Sequence, residues 1–166
     1  GRFRTAAVAA DIGLCSEIGR DILQQGGTAV DGAISSLLCV GVINAHTSGL
    51  GGGLTMLIYH NSTGKAEALI ARERAPAAAT ENLPLEKFGV RSIAVPGELT
   101  GLWEAHQRYG SLPWRALFQP VIHLAENGFP VTVHLANALQ LLRDIQMPCY
   151  AGFLAKYANS DGSWKK

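Results

Sequence analysis

The stretch "SGLGGGLTMLIY" at 48–59 sets four glycines in five positions directly before a β-branched and aromatic run. A backbone so bare has two uses: it cradles a ligand, or it lets chain pack against chain. The dinucleotide fingerprint needs a strand, then G-x-G-x-x-G, then a helix. Here an apolar helical segment comes first and a strand follows. The P-loop fails as well, because Gly64-Lys65 has no glycine five residues before it. Gly49, Gly51, Gly52 and Gly53 are therefore read as positions of positive φ or close backbone approach.

Around this stretch the chain divides by periodicity. Leu14, Ile18 and Ile22 recur every fourth residue and Gly26-Gly27 stops that helix. Thr28 with Asp31 forms a capping pair that opens a second helix, apolar nearly all round and so buried. After the glycines, 54–60 and 65–73 flank the turn residues Asn61–Gly64 as a hairpin. "RSIAV" at 91–95 is read as a third strand, closed by Pro96-Gly97. Leu99, Leu102, Trp103 and His106 mark a helix ended by Tyr109-Gly110. Pro113 and Pro120 each suit a helix first turn, giving two short helices, and Leu135, Leu139 and Leu142 mark a last one over 132–145. The tail 157–166 is polar and aperiodic, and is read as disordered. The whole, 1–166, reads as one incomplete layered domain of α+β or α/β class.

Composition excludes several functions. With 48% hydrophobic and 16% charged residues over 166 positions, the chain is globular, and its net charge of +1 offers no field for nucleic acid or an acidic membrane. Five histidines and three cysteines show no metal-ligand spacing, so neither metal nor cofactor is expected. The longest apolar stretch, Ala29–Ile43, is interrupted by Asp31, Ser35 and Ser36 and falls short of a membrane span. The chain opens Gly1-Arg2-Phe3 and reads as a soluble excerpt whose targeting lies upstream.

Candidate chemistry is sparse. Thr47 or Ser48 beside His46 resembles a nucleophile with a base, but sequence neighbours rarely form a working dyad, and a solvated loop fits better. His106 and His123 are read as hydrogen-bonded structural histidines, and Glu98 and Glu104 as solvated helix charges. "ARERAP" at 71–76 stands apart: Arg72 and Arg74 alternate with Glu73, which puts both guanidinium groups on one face. Such a fork recognises a carboxylate, and it equally forms a surface ion pair with Glu73.

The ordered set "AAVAAD", "CSEIGRDILQQGGTAVDGAI", "NAHTSGLGGGLTMLIY", "ARERAP", "AVPGEL" and "AHQRYGSLPWRALFQPVIHLAENGFPV" resembles the large subunit of γ-glutamyltransferase (glutathione hydrolase), in its animal, membrane-anchored branch. The likeness runs from about Thr5 to Val131. It implies an α+β N-terminal-nucleophile hydrolase fold, an αββα sandwich of which this chain is a large-subunit portion. A precursor of this family cuts itself, and the new N-terminal threonine of the small subunit attacks the γ-glutamyl bond. The glutamyl group then passes to water, an amino acid or a dipeptide. Glutathione, its conjugates and leukotriene C4 are the implied substrates, and the small subunit of the same precursor is the implied partner.

Residue by residue, the resemblance places the arginine that binds the substrate α-carboxylate at Arg72. It implies a Cys15–Cys39 disulfide, and hence an oxidising compartment. Asn61-Ser62-Thr63 is an N-glycosylation sequon on the hairpin turn. Both fit the extracellular face of the plasma membrane, with an anchor upstream. No ligand role carries over to the glycines, and Cys149 has no evident partner. The chain departs from the family at Ile70, where many members have asparagine, at Arg74, where they have an apolar residue, and in a short Pro76–Val90 segment. The nucleophilic threonine lies outside these residues. Two function classes follow: part of an active γ-glutamyl enzyme, or a truncated, non-catalytic interaction module.

Overall fold

A computed structural model describes all residues except 1, 2, 83–88, 146–150, 162, 164 and 166. The elements are α1 (Gly13–Gln24), α2 (Ala29–Ile43), β1 (Leu54–His60), β2 (Lys65–Ala71), α3 (Glu98–Tyr109), α4 (Trp114–Asn127), α5 (Val133–Ile145) and α6 (Ala151–Tyr157). The class is α+β: helices cover one side of a two-stranded antiparallel sheet.

α2 is the central element because it has no polar face. Val30, Ile34, Leu38, Cys39 and Ile43 are buried, as are Asp31, Ser35 and Ser36. The buried hydroxyls are satisfied on neighbouring helices. Ser36 donates to the Cys15 carbonyl at 3.0 Å, and Ser35 donates to the Leu117 carbonyl at 2.9 Å. Cys15 and Cys39 join α1 to α2 in a disulfide, with Cα atoms 5.4 Å apart. α1 ends as the two glycines dictate: Gly26 N–H reaches the Leu23 carbonyl and Gly27 N–H the Ile22 carbonyl, which satisfies the last turn.

Asp31 does more than cap. Its Oδ2 accepts the Thr28 N–H at 2.9 Å, the Ser111 N–H at 2.9 Å, the Ser111 hydroxyl at 3.1 Å and the Leu112 N–H at 3.3 Å. One carboxylate thus pins the α3–α4 turn to the start of α2. Burial by itself raises the Asp31 pKa, but the donors from Ser111, Thr28 and Leu112 outweigh it and hold it below the ordinary value. Asp31→Ala strips all four donors of their acceptor and should lower stability by about 3–5 kcal/mol at neutral pH. The advantage of Asp31 over Asn should be complete above about pH 4 and should shrink as pH falls through the depressed folded-state pKa. Thermal melts from acid to neutral pH check this, and a gap independent of pH would show that the donors do not require the ionised group.

The expected hairpin forms, antiparallel, with Leu54 opposite Ala71 and His60 opposite Lys65. Its inner face, including Leu54, Met56, Ile58 and Leu69, packs on the helices. Tyr109 ties α3 to the sheet by donating to Glu67 at 2.6 Å.

Three expectations change. The third strand reduces to one antiparallel bridge, Arg74 to Val95, preceded by a 3-10 turn at Val90–Ser92. Pro76 has no N–H for the next hydrogen-bonded pair on one side, and on the other the Gly97 N–H goes to the Gly52 carbonyl, so the ladder stops at one pair. The two short helices at Pro113 and Pro120 are one helix, α4, with Pro120 inside it. An interior proline costs about 3 kcal/mol; burial of Leu117 and Val121, four apart on one stripe, carries the helix across it. α6 was not anticipated. Cys149 lies outside the described residues.

Candidate functional site

Three separated segments meet at the end of the hairpin: the glycine loop, residues 72–74 and the turn into α3. The Gly52 carbonyl accepts the Gly97 N–H at 2.9 Å and the Glu98 N–H at 3.0 Å. Arg74 and Val95 exchange both backbone bonds, at 3.0 and 2.8 Å. Gly53 stands opposite Arg72, one step beyond the last pair of the ladder. A Cβ on Gly53 would lie 2.7 Å from the Ala71 carbonyl oxygen, 2.8 Å from Arg72 Cα and 2.8 Å from Glu73 N. Gly97 presses on the same backbone, 2.5 Å from the Ala71 oxygen by the same construction. Close approach of chain to chain is thus what Gly52 and Gly53 provide, and Gly49 has a positive φ of 149°, whereas a Cβ on Gly51 would meet nothing within 4 Å.

Arg72 continues the outward face of β2. Strand alternation puts Thr55, Leu57 and Tyr59 on one side with Ala66, Ala68 and Ile70, and that side is open: Leu57 is 75% exposed and Ile70 72%. Arg72 follows Ile70 by two residues, and its side chain is 64% exposed. Its Nη2 lies 3.0 Å from Glu73 Oε2, so the ion pair open from the sequence is formed. An exposed pair of this kind contributes at most about 1 kcal/mol, little resistance to a competing carboxylate. Asn61 sits in the exposed hairpin turn at the other end of the sheet.

The other candidates separate. The Thr47 hydroxyl donates to the Asn44 carbonyl at 3.2 Å, while His46 Nδ1 is buried without a hydrogen-bond partner, so no dyad is assembled. His106 is structural, its Nε2 donating to the Leu112 carbonyl at 2.8 Å. His123 is exposed and pairs with Asn127 on its own helix. Glu104 is solvated and accepts from Arg108 at 2.7 Å.

Glu98 corrects the sequence reading. The sequence reads it as a solvated helix charge, and it is 3% exposed. Burial pushes its pKa up; the Gly49 N–H facing it opposes this, and the nearby Glu73 carboxylate adds to it. An acid after Pro-Gly at a helix start looks like an ordinary complement to the helix dipole. Only the glycine loop folding over it makes it buried. Among the described residues, no group of three or more His, Cys, Asp or Glu is placed to hold a metal ion, and no helix is long and apolar enough to cross a membrane.

The sequence profile of the gamma-glutamyltranspeptidase family matches residues 15–165. The glutathione hydrolase 5 proenzyme of Rattus norvegicus is 52% identical over 145 residues, covering 82% of this chain and 25% of the rat protein. Scoloptoxin SSD14 of Scolopendra dehaani is 51% identical over 145 residues, covering 84% of this chain and 25% of that protein. Among solved structures, the Helicobacter pylori gamma-glutamyltranspeptidase superposes with a TM-score of 0.86 at 26% identity, over 99% of this chain and 51% of that one. The transpeptidase CapD of Bacillus anthracis gives 0.81 at 34%, over 99% and 53%. The chain thus spans about a quarter of the length of the curated relatives it matches. A profile match over nearly all of the chain and a shared fold agree with the motifs that meet at Arg72: the chain belongs to the γ-glutamyltranspeptidase family.

Proposed function

We propose that the protein containing these residues is a γ-glutamyltransferase and glutathione hydrolase. It cleaves the γ-glutamyl bond of glutathione and its conjugates, leukotriene C4 included, and passes the glutamyl group to water, an amino acid or a dipeptide. Arg72 binds the α-carboxylate of the γ-glutamyl group. The observation that carries this reading is the setting of Arg72: an exposed guanidinium at the end of an open sheet face, held among the described residues by a neighbouring glutamate. A carboxylate that takes both of its N–H groups in bidentate geometry gains a charge-assisted contact that one exposed ion pair does not match. The nucleophile is the N-terminal threonine of a small subunit made from the same precursor, and that subunit is the partner of this segment. The test is release of the chromogenic amine from a γ-glutamyl anilide by the full-length protein, with and without a dipeptide acceptor. No release under either condition would overturn the reading.

The same reading places the segment on the extracellular face of the plasma membrane, as in the animal branch, with the anchor upstream. The Cys15–Cys39 bond supports it, since a loop closed over 24 positions contributes about 3 kcal/mol in an oxidising compartment and little elsewhere. Asn61, exposed on its turn, is the glycan acceptor. Mass spectrometry of the non-reduced native protein should find Cys15 and Cys39 in one linked peptide pair. Two freely alkylated thiols would exclude this compartment.

A further inference from the structure

Behind Arg72 lies a carboxylate that the proposed reaction leaves unused. Glu98 opens α3, is 3% exposed, and borders a cavity of about 360 Å³ whose other walls include Leu38, Val42, Leu50, Phe118 and Ile122. Its carboxylate faces the Gly49 N–H, and its backbone N–H donates to the Gly52 carbonyl at 3.0 Å. One residue thus grips the glycine loop near both ends, although its Oε1 is buried without a partner.

The loop in turn meets the arginine motif. A Cβ on Gly52 would stand 3.6 Å from Glu73 Oε1 and 3.9 Å from Glu98 Oε2, so Gly52 lies between the two carboxylates. Gly53 rests on the backbone of Arg72 and Glu73, and the other Glu73 oxygen is 3.0 Å from the Arg72 guanidinium. Contact therefore runs unbroken from Glu98 through Gly49–Gly53 to both the main chain and the charge partner of Arg72.

Holding an anion here has a stability cost. The raised pKa means that the contribution of Glu98 itself to stability is greatest in acid and is lost as pH rises through its folded-state value. At neutral pH an apolar residue would fill the same space without that cost. What the side-chain oxygen adds is its tie to the loop.

We propose that Glu98 is a positioning residue for Arg72: it fixes the Gly49–Gly53 loop at the height that seats Gly53 against Arg72 and Glu73, and so sets the approach of the guanidinium to a substrate carboxylate. This rests on the reading of Arg72 given above. The test measures kcat and KM of the full-length protein on a γ-glutamyl anilide for Glu98→Ala, Glu98→Gln, Arg72→Lys and the Glu98→Ala, Arg72→Lys double variant. Glu98→Ala should raise KM by roughly tenfold with kcat within about threefold, the pattern of lost substrate binding rather than lost fold. Glu98→Gln keeps an acceptor for the Gly49 N–H and should restore KM to within about threefold of wild type. In the Arg72→Lys background, Glu98→Ala should cost less than about twofold in kcat/KM, because the two act through one contact. Should Glu98→Ala fail to fold, Glu98→Asp, which draws the carboxylate back by one methylene, should raise KM in the same Arg72-dependent way. Independent, multiplicative losses would overturn the proposal, as would an unchanged KM in both Glu98→Ala and Glu98→Asp. If Arg72→Lys raises KM and the Glu98 variants do not, only the positioning role falls. If Arg72→Lys changes nothing, the carboxylate-binding assignment falls first and the positioning role with it.

Discussion

Arg72→Lys in the full-length protein should lower kcat/KM for a γ-glutamyl substrate by roughly 30- to 1000-fold, equivalent to about 2–4 kcal/mol of transition-state binding. Lysine keeps the positive charge but presents one ammonium point where arginine presents a planar fork, so a bidentate carboxylate loses one of its two bonds and its orientation. The loss should be visible with any acceptor, because the γ-glutamyl group is common to both half-reactions. Arg74→Lys is the matched control. Arg74 is joined to Val95 through backbone groups alone, which a side-chain change leaves intact, whereas Arg72 stands opposite Gly53 at the end of the ladder. Arg74→Lys should therefore cost far less. Equal losses at the two positions would mean that both arginines share the carboxylate, or that the site lies elsewhere.

The 166-residue chain expressed alone should release no measurable amine from a γ-glutamyl anilide. Acyl transfer needs an activated nucleophile and donors aimed at the developing oxyanion. Among the described residues, the candidates for the first are not assembled: Thr47 spends its hydroxyl on the Asn44 carbonyl, and His46 Nδ1 has no hydrogen-bond partner. On the proposed reading Arg72 holds only one end of a substrate, and binding without chemistry gives no turnover. The isolated chain should also aggregate readily, since Leu57, Tyr59 and Ile70 form a continuous exposed apolar face. Release that disappears on Thr47→Ala or Ser48→Ala would show a working nucleophile in this chain and would refute the assignment of that role to a small subunit.

Much of this fold was legible because its signals are local. The Gly26-Gly27 stop, the Thr28–Asp31 capping box and the turn residues Asn61–Gly64 act within a few residues, and each did in the structure what its chemistry implies. The i, i+4, i+7 spacing of Leu135, Leu139 and Leu142 likewise placed α5. Readings failed where distant atoms decide. Pro120 is a credible helix start until the burial of Leu117 and Val121 against α2 carries α4 through it. "RSIAV" has strand composition, but only the fold reveals that its partner beyond Arg74 offers a proline instead of a donor. The sequence by itself determined the family, the hairpin and the helices α1, α2, α3 and α5, and through its family likeness it singled out Arg72 as the candidate. Tertiary structure alone decided that Glu98 is buried, that Asp31 holds a turn 80 residues away, and that Gly53 lies against Arg72. Periodicity and capping are set by neighbours along the chain, whereas desolvation and close approach depend on which segments share a volume, and no local pattern encodes that.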